Sequence, residues 1–209
     1  MRMRRKPNLD ARLDRCAHLL TLDPESYRGR WLSKHPFKKL HIELGCGKGL
    51  FTVETAKSSP DVLLVALEKT ANVMVIALEL AQKQEMKNVR FINALADNLD
   101  KFFAPGEVSR IYLNFSDPWP AKRHIKRRMT APAFLALYRQ ILCPDGQIHF
   151  KTDNLPLFEY SVCAFEQAGF TVLEQTIDLH KDGPIGVMTD YEIKFHAQGV
   201  PINKCIVSV

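Results

Sequence analysis

The chain has 209 residues, 46% hydrophobic and 25% charged, which is the balance of an ordinary soluble globular protein with a sizeable core. Its net charge of +6 is compatible with a nucleic-acid partner without proving one. Five scattered cysteines with no Cys-x-x-Cys pair exclude a zinc ribbon or a paired disulfide framework, and read as free thiols in a reducing compartment. No apolar run approaches the length of a membrane span and no hydrophobic segment follows the basic start, so the expected setting is the cytoplasm, with no membrane partner and no metal site.

Residues 1–38 are polar and weakly periodic, with Arg2, Arg4 and Arg5 crowding the start. They are expected to form an arm across a single domain of residues 39–209, its first residues mobile. A short helix is expected within 9–22, ended by Asp23-Pro24. From residue 40, strand and helix alternate. Strands are expected at 40–44, 62–67, 89–93, 111–115 and 147–151, and helices at 50–58, 71–84, 96–103, 132–142 and 155–168. The second helix shows Val73, Ile76, Ala77, Leu80 and Ala81 on one face. Two longer strands, 171–178 and 191–196, follow, with 200–207 as a candidate last edge segment. The alternation implies an α/β fold: a mostly parallel sheet covered by helices on both faces through right-handed crossovers, closed by an antiparallel edge hairpin.

The first strand runs into Glu43-Leu44-Gly45-Cys46-Gly47-Lys48-Gly49. Glycines there permit positive φ and close approach of a ligand to the backbone. The spacing fits neither a mononucleotide P-loop nor the Gly-x-Gly-x-x-Gly dinucleotide fingerprint. Glu43 would repel a pyrophosphate but suits a cationic ligand. Glu68 ends the second strand, the place for a carboxylate that holds a ribose diol. S-adenosyl-L-methionine carries an ammonium, a sulfonium and a ribose, and no phosphate. A tight turn and a solvated strand end are the plainer readings of the same residues.

Residues 111–130 combine three features. An apolar strand ends at Asp117-Pro118-Trp119-Pro120, where two prolines forbid regular structure. Five Lys/Arg and one His then fall within residues 122–128, with no acid. A carboxylate and an indole at the carboxyl end of a strand, leading into a basic loop, point to a polar pocket whose partner carries phosphates. Each feature alone is more often a capped turn, a core ring and a solvated face.

Together with His149-Phe150-Lys151-Thr152-Asp153-Asn154 and Met188-Thr189-Asp190-Tyr191-Glu192, these motifs resemble the bacterial tRNA (guanine-N(7)-)-methyltransferase family over nearly the whole chain. The resemblance implies a class I Rossmann-like methyltransferase fold with a seven-stranded sheet. It implies methyl transfer from S-adenosyl-L-methionine to N7 of guanine 46 in the variable loop of tRNA. It implies cofactor contacts at Glu43, Gly45, Gly47, Glu68, Leu95 and Asp117, with Asp117 also catalytic. Lys122, Asp153, Thr189, Asp190, Tyr191 and Glu192 become substrate contacts, and Arg123, His124, Lys126, Arg127 and Arg128 RNA contacts. Family members usually carry Asp or Asn near Leu95, so here its backbone or Asp97 is left for that contact; Ala121 stands where many have Lys. A homodimer and a monomer both fit the family. Two competing classes remain: an NAD-dependent oxidoreductase, opposed by Glu43 and the glycine spacing, and a non-catalytic RNA-binding module, opposed by the glycine turn.

Overall fold

The computed structural model describes residues 6–209. The basic amino end at Arg2, Arg4 and Arg5 therefore lies outside the described residues. Seven strands form one sheet: β1 Lys39–Leu44, β2 Val62–Leu67, β3 Val89–Ile92, β4 Val108–Asn114, β5 Leu142–Thr152, β6 Thr171–Thr176 and β7 Asn203–Ser208. Their order is β3-β2-β1-β4-β5-β7-β6. The first five are parallel, and β7 pairs antiparallel with both β5 and β6. β2 is buried along its whole length, as its unbroken run of apolar residues requires.

The helices are α1 Leu9–Arg15, α2 Leu50–Ser58, α3 Ala71–Lys83, α4 Leu99–Phe102, α5 Pro132–Ile141, α6 Leu155–Gln167 and α7 Asp190–His196. One core cluster joins α2 and α3 to one sheet face through Phe51, Val53, Met74 and Leu78. A larger cluster joins α4, α5 and α6 to the other face through Phe102, Leu135, Tyr138, Phe158 and Phe165. Gly49 makes the first packing possible. Its φ is 82°, and a Cβ there would meet the Ala77 Cβ of α3 at 2.5 Å.

The amino-terminal segment is fastened to the domain. Arg12 grips Glu79 of α3 with two bonds of 2.7 and 2.6 Å, and Thr21 N–H donates to Phe91 O at 2.8 Å. Trp31 is fully buried in the core, its indole N–H donating to Phe102 O at 2.9 Å. Among the described residues no helix is long and apolar enough to cross a membrane, and no group of His, Cys, Asp and Glu side chains could hold a metal ion.

One predicted element changes type. Residues 191–196 are not a strand but lie in α7, and the antiparallel partner of β6 is β7. The alternation Tyr191, Ile193, Phe195 imitates a strand, yet Tyr191 and Ile193 are exposed. Local chemistry decides for the helix. Thr189 Oγ1 accepts from Glu192 N–H at 2.9 Å while the Glu192 carboxylate accepts from Thr189 N–H at 3.1 Å, a reciprocal capping box. Asp190 and Glu192 sit in its first turn, Lys194 and His196 in its last, as the helix dipole favours.

Candidate active site

The carboxyl ends of β1, β2 and β4 open into a cleft of about 560 Å³. One half is lined by Leu44, Gly45, Glu68, Leu95, Ala96 and Asp97; the other by Asn114, Phe115, Ser116, Asp117, Trp119, Lys126 and Arg127. The structure thus brings the predicted Gly45, Glu68, Leu95, Asp117, Lys126 and Arg127 to one cavity.

The glycine turn wraps the end of β1. Gly45 and Gly47 have φ of 80° and 58°, a region where only glycine sits without strain. The Gly45 and Cys46 N–H groups donate to Leu67 O at 2.8 and 3.0 Å. Glu68 is placed across from them: Oε2 accepts from Gly47 N–H at 3.3 Å and Oε1 from Thr70 N–H at 2.9 Å. Glu43 is beneath the turn rather than on the cleft wall, only 2% exposed. Its carboxyl accepts from Thr52 Oγ1 at 2.5 Å and Asn114 Nδ2 at 3.3 Å, tying α2 to β4. Burial pushes its pKa up to about 7, against the pull of those two donors. Burial likewise pushes up the Cys46 thiol, which makes it an unreactive packing group.

Opposite, β4 ends at Asn114 and the chain turns sharply. Phe115 and Trp119 have φ of 51° and 40°, the left-handed region, although neither is glycine. Such strain persists only where the surroundings impose it. Between them stands Asp117, exposed and with no protein hydrogen-bond partner among the described residues. On the cleft floor, Asn114 Oδ1 and Ser116 Oγ are buried without partners.

Arg128 imposes the turn. It was expected on the RNA face with its neighbours, but it is only 9% exposed. Its guanidinium donates to Pro118 O at 2.9 Å and Trp119 O at 3.3 Å and lies 4.3 Å over the Tyr160 ring. Arg128 is a clamp on the Asp117 loop. Its neighbours face out from a 3-10 helix, Lys122–Arg127, with Lys122, Arg123, Lys126 and Arg127 exposed. Arg127 lies 4.9 Å over the Trp119 ring, and His124 meets that ring edge-on at 5.6 Å.

The remaining predicted residues divide. Asp153 is exposed just beyond β5, and Asp190 and Tyr191 are exposed at the start of α7. Tyr191 stacks on the cleft residue Phe115 at 6.3 Å, which brings α7 to the rim. Thr189 and Glu192 are turned inward, 9% and 0% exposed, so they support the rim instead of lining it. Glu192 accepts from Lys151 Nζ at 2.8 and 2.9 Å and faces His180 Nε2 at 2.8 Å. His180 Nδ1 accepts from Ile185 N–H, so Nε2 carries the proton and donates to Glu192. The sequence reading missed this Lys151–Glu192–His180 cluster, because its members are far apart in the chain. It also gave no role to Asn114 and Ser116, although both stand in the Asn114–Pro120 stretch that carries the family resemblance.

A family model described as "Putative methyltransferase" matches residues 37–205. The tRNA (guanine-N(7)-)-methyltransferase of Geobacillus thermodenitrificans is 48% identical over 210 residues, covering 98% of this chain and 96% of that protein. That of Bacillus subtilis is 44% identical, covering 98% and 97%. The chain belongs to the tRNA (guanine-N(7)-)-methyltransferase family. Its fold recurs in other methyltransferases. The 16S rRNA methyltransferase KamB matches at a TM-score of 0.65 and 15% identity, covering 83% of this chain and 88% of that one. A SAM-dependent methyltransferase from Aquifex aeolicus matches at 0.58 and 13% identity, covering 97% and 98%. At such low identities these two matches speak to the fold alone. Gly45 of the glycine turn and Glu68 thus line one half of the cleft, and the Asp117 loop with Lys126 and Arg127 lines the other.

Proposed function

We propose that this chain transfers a methyl group from S-adenosyl-L-methionine to N7 of guanine 46 in the variable loop of tRNA. The observation that carries the reading is the cleft itself: unpaired Asp117 faces the glycine turn and Glu68, while Lys126 and Arg127 line the same cavity. The residues present fit the cofactor. Glu68 offers a carboxylate at the end of β2 for a ribose diol, and Asn114 Oδ1 and Ser116 Oγ are polar atoms in want of partners. Gly45 and Gly47 leave the turn without side chains, and nothing lies within 4 Å of where a Cβ would stand. When bound, S-adenosylmethionine supplies an electrophilic methyl group on a sulfonium.

Guanine N7 is a lone pair on the major-groove edge, an acceptor with no proton to lose. No general base is needed. Catalysis then rests on holding the attacking atom in line, which supplies about 7–11 kcal/mol in well-oriented systems. Asp117 orients the guanine by accepting from its N1–H and exocyclic amine, and its charge favours the positive ring that develops. Asp153, Asp190 and Tyr191 hold the nucleotide at the rim. Arg123, Lys126 and Arg127, with Lys122 and His124, meet the phosphates; Arg128 is left out of that set because it is buried, with its guanidinium turned inward onto Pro118 O and Trp119 O.

The test is transfer of labelled methyl from S-adenosylmethionine to unmodified tRNA, with a substitution of guanine 46 as control. Label that vanishes with the substitution supports the reading. Label that persists moves the target to another base, and label that never appears, with cofactor bound, overturns it.

A further inference from the structure

Tyr191 is 61% exposed, and among the described residues no other aromatic side chain is exposed. A single apolar group on a surface is ordinary. What sets Tyr191 apart is how firmly its ring is held. It lies 20° from parallel to the Phe115 ring, with centroids 6.3 Å apart. Phe195, one turn along α7, meets both rings, at 6.1 Å from Tyr191 and 6.2 Å from Phe115. Phe115 is itself fixed by the sharp turn after β4, at φ 51°.

The helix under the ring is fixed as well. Glu192, the next residue, is 0% exposed and receives Lys151 of β5 and His180, each at 2.8 Å. The capping box at Thr189 orders the first turn of α7, where Tyr191 sits. A tyrosine has only two side-chain torsions, and both neighbouring rings restrict them. Such a ring offers contact area with little ordering left to lose on binding.

The chemistry around the ring selects its partner. The exposed charges flanking it on α7 are Asp190 and Lys194, one of each sign, so a phosphate gains little there. The positive charge is concentrated in the Lys122–Arg127 segment instead. Trp119 is the other candidate ring at the cleft, but Arg127 lies 4.9 Å over it and His124 meets its edge. Tyr191 is the ring left open. A flat, braced, uncharged aromatic surface suits the face of a nucleobase. In a duplex that face is covered by its neighbours, whereas unpaired bases can be splayed out onto aromatic side chains. Phe115 lines the cleft and Tyr191 does not, so the ring stands beside the cavity. The base it meets is therefore not the one held at Asp117 but the next along the strand. Granted the tRNA substrate proposed above, we infer that Tyr191, braced by Phe115 and Phe195, is a stacking platform for the unpaired base adjacent to the reacting guanine. The enzyme then takes its guanine from an unpaired stretch, gripping two consecutive nucleotides.

The experiment measures tRNA affinity against salt for the wild type, Tyr191→Ala, Tyr191→Leu and Tyr191→Phe. Loss of one stacked base weakens binding by about 5- to 150-fold. That loss is expected in Tyr191→Ala and Tyr191→Leu, and Tyr191→Phe should restore the affinity. The salt slope should stay that of the wild type in all three, because a stack releases no counterions. The second arm uses tRNA with an abasic nucleotide immediately 5′ or 3′ of guanine 46. One of the two should bind the wild type as weakly as intact tRNA binds Tyr191→Ala, and should lose nothing more with the variant. This arm also reads the contact in the unaltered protein. Full affinity in Tyr191→Ala, rescue by Tyr191→Leu, or losses that multiply at both abasic positions overturn the stack. An abasic guanine 46 that alone cancels the effect of Tyr191→Ala overturns the adjacent-base assignment. A wild type that binds no tRNA overturns the proposed substrate as well, so the two failures are told apart.

Discussion

At the scale of single residues, the two neighbours Arg127 and Arg128 look alike in sequence and do opposite things. Both belong to one basic run, and nothing in the run says which guanidinium turns inward. The partners of Arg128 are the backbone carbonyls of Pro118 and Trp119, which leave no trace in a side-chain pattern. Arg128→Lys keeps the charge but loses the fork that spans two carbonyls. It should lower kcat by roughly tenfold or more, as a misplaced reactive group does, and leave the salt slope of tRNA binding unchanged. Arg127→Gln should do the reverse, reducing the slope by about 0.7–0.9 with little change in kcat. Salt-dependent filter binding beside single-turnover methylation separates the two. The place of Asp117, by contrast, was legible: an acid just ahead of two prolines at the end of an apolar strand is left exposed on the cleft wall. Asp117→Asn preserves shape and reverses hydrogen-bond polarity at one oxygen. The expected loss is ~10²-fold in kcat, the scale of one lost electrostatic contact, with cofactor affinity nearly intact by calorimetry. Equal losses in both would make Asp117 a cofactor contact and nothing more.

At the scale of elements, the parallel half of the sheet followed directly from alternating apolar runs and glycine or proline punctuation. The carboxyl-terminal part did not, and α7 shows why. A short amphipathic segment with every second residue apolar satisfies the strand period by accident. Its type is fixed by Thr189 and Glu192, whose reciprocal bonds stop the backbone from extending. Those two residues were read as substrate contacts, so their structural duty went unseen. Glu192 has a further duty, as the buried anion that receives Lys151 of β5 and His180 of the preceding loop. Removing one partner of such a pair strands a charge in a dry site, at about 3–5 kcal/mol. Lys151→Met should therefore lower the melting temperature sharply, and adding Glu192→Gln should recover much of the loss, because the stranded charge is gone. A double variant no more stable than Lys151→Met alone would show that packing, not charge, dominates there. Gly49 tests the other end of the cleft. Gly49→Ala drives a methyl into Ala77 at 2.5 Å on a backbone of φ 82°. Overpacking of this kind costs about 1–3 kcal/mol before the backbone strain is added, and thermal melts should show it.

At the scale of the whole molecule, the buried titratable groups set a stability window that the cofactor should shift. Glu43 has a folded pKa raised to about 7 from its ordinary 4.5. A raised acid contributes stability that is fully present below about 4.5 and lost as pH rises through about 7, on the order of 3 kcal/mol in all. His41 and His149 are lowered from 6.5 to about 3, so their contribution is present above 6.5 and lost as pH falls toward 3. The free protein should thus be most stable between these limbs, near neutral or slightly below, and Glu43→Gln should flatten the alkaline limb alone. The cofactor changes this balance. Glu43 lies directly under the glycine turn, where the proposed ligand brings an ammonium and a sulfonium. A cation there favours the ionised carboxylate and draws its pKa down. Binding near pH 6.5 should then release a proton from Glu43, and the measured heat should depend on the ionisation enthalpy of the buffer. The dependence should fade by pH 9, where Glu43 is already ionised, and should be absent at every pH in Glu43→Gln. A heat independent of buffer at pH 6.5 would mean that Glu43 only fastens α2 to β4, and that the cationic end of the cofactor is neutralised by Glu68 and Asp117 instead.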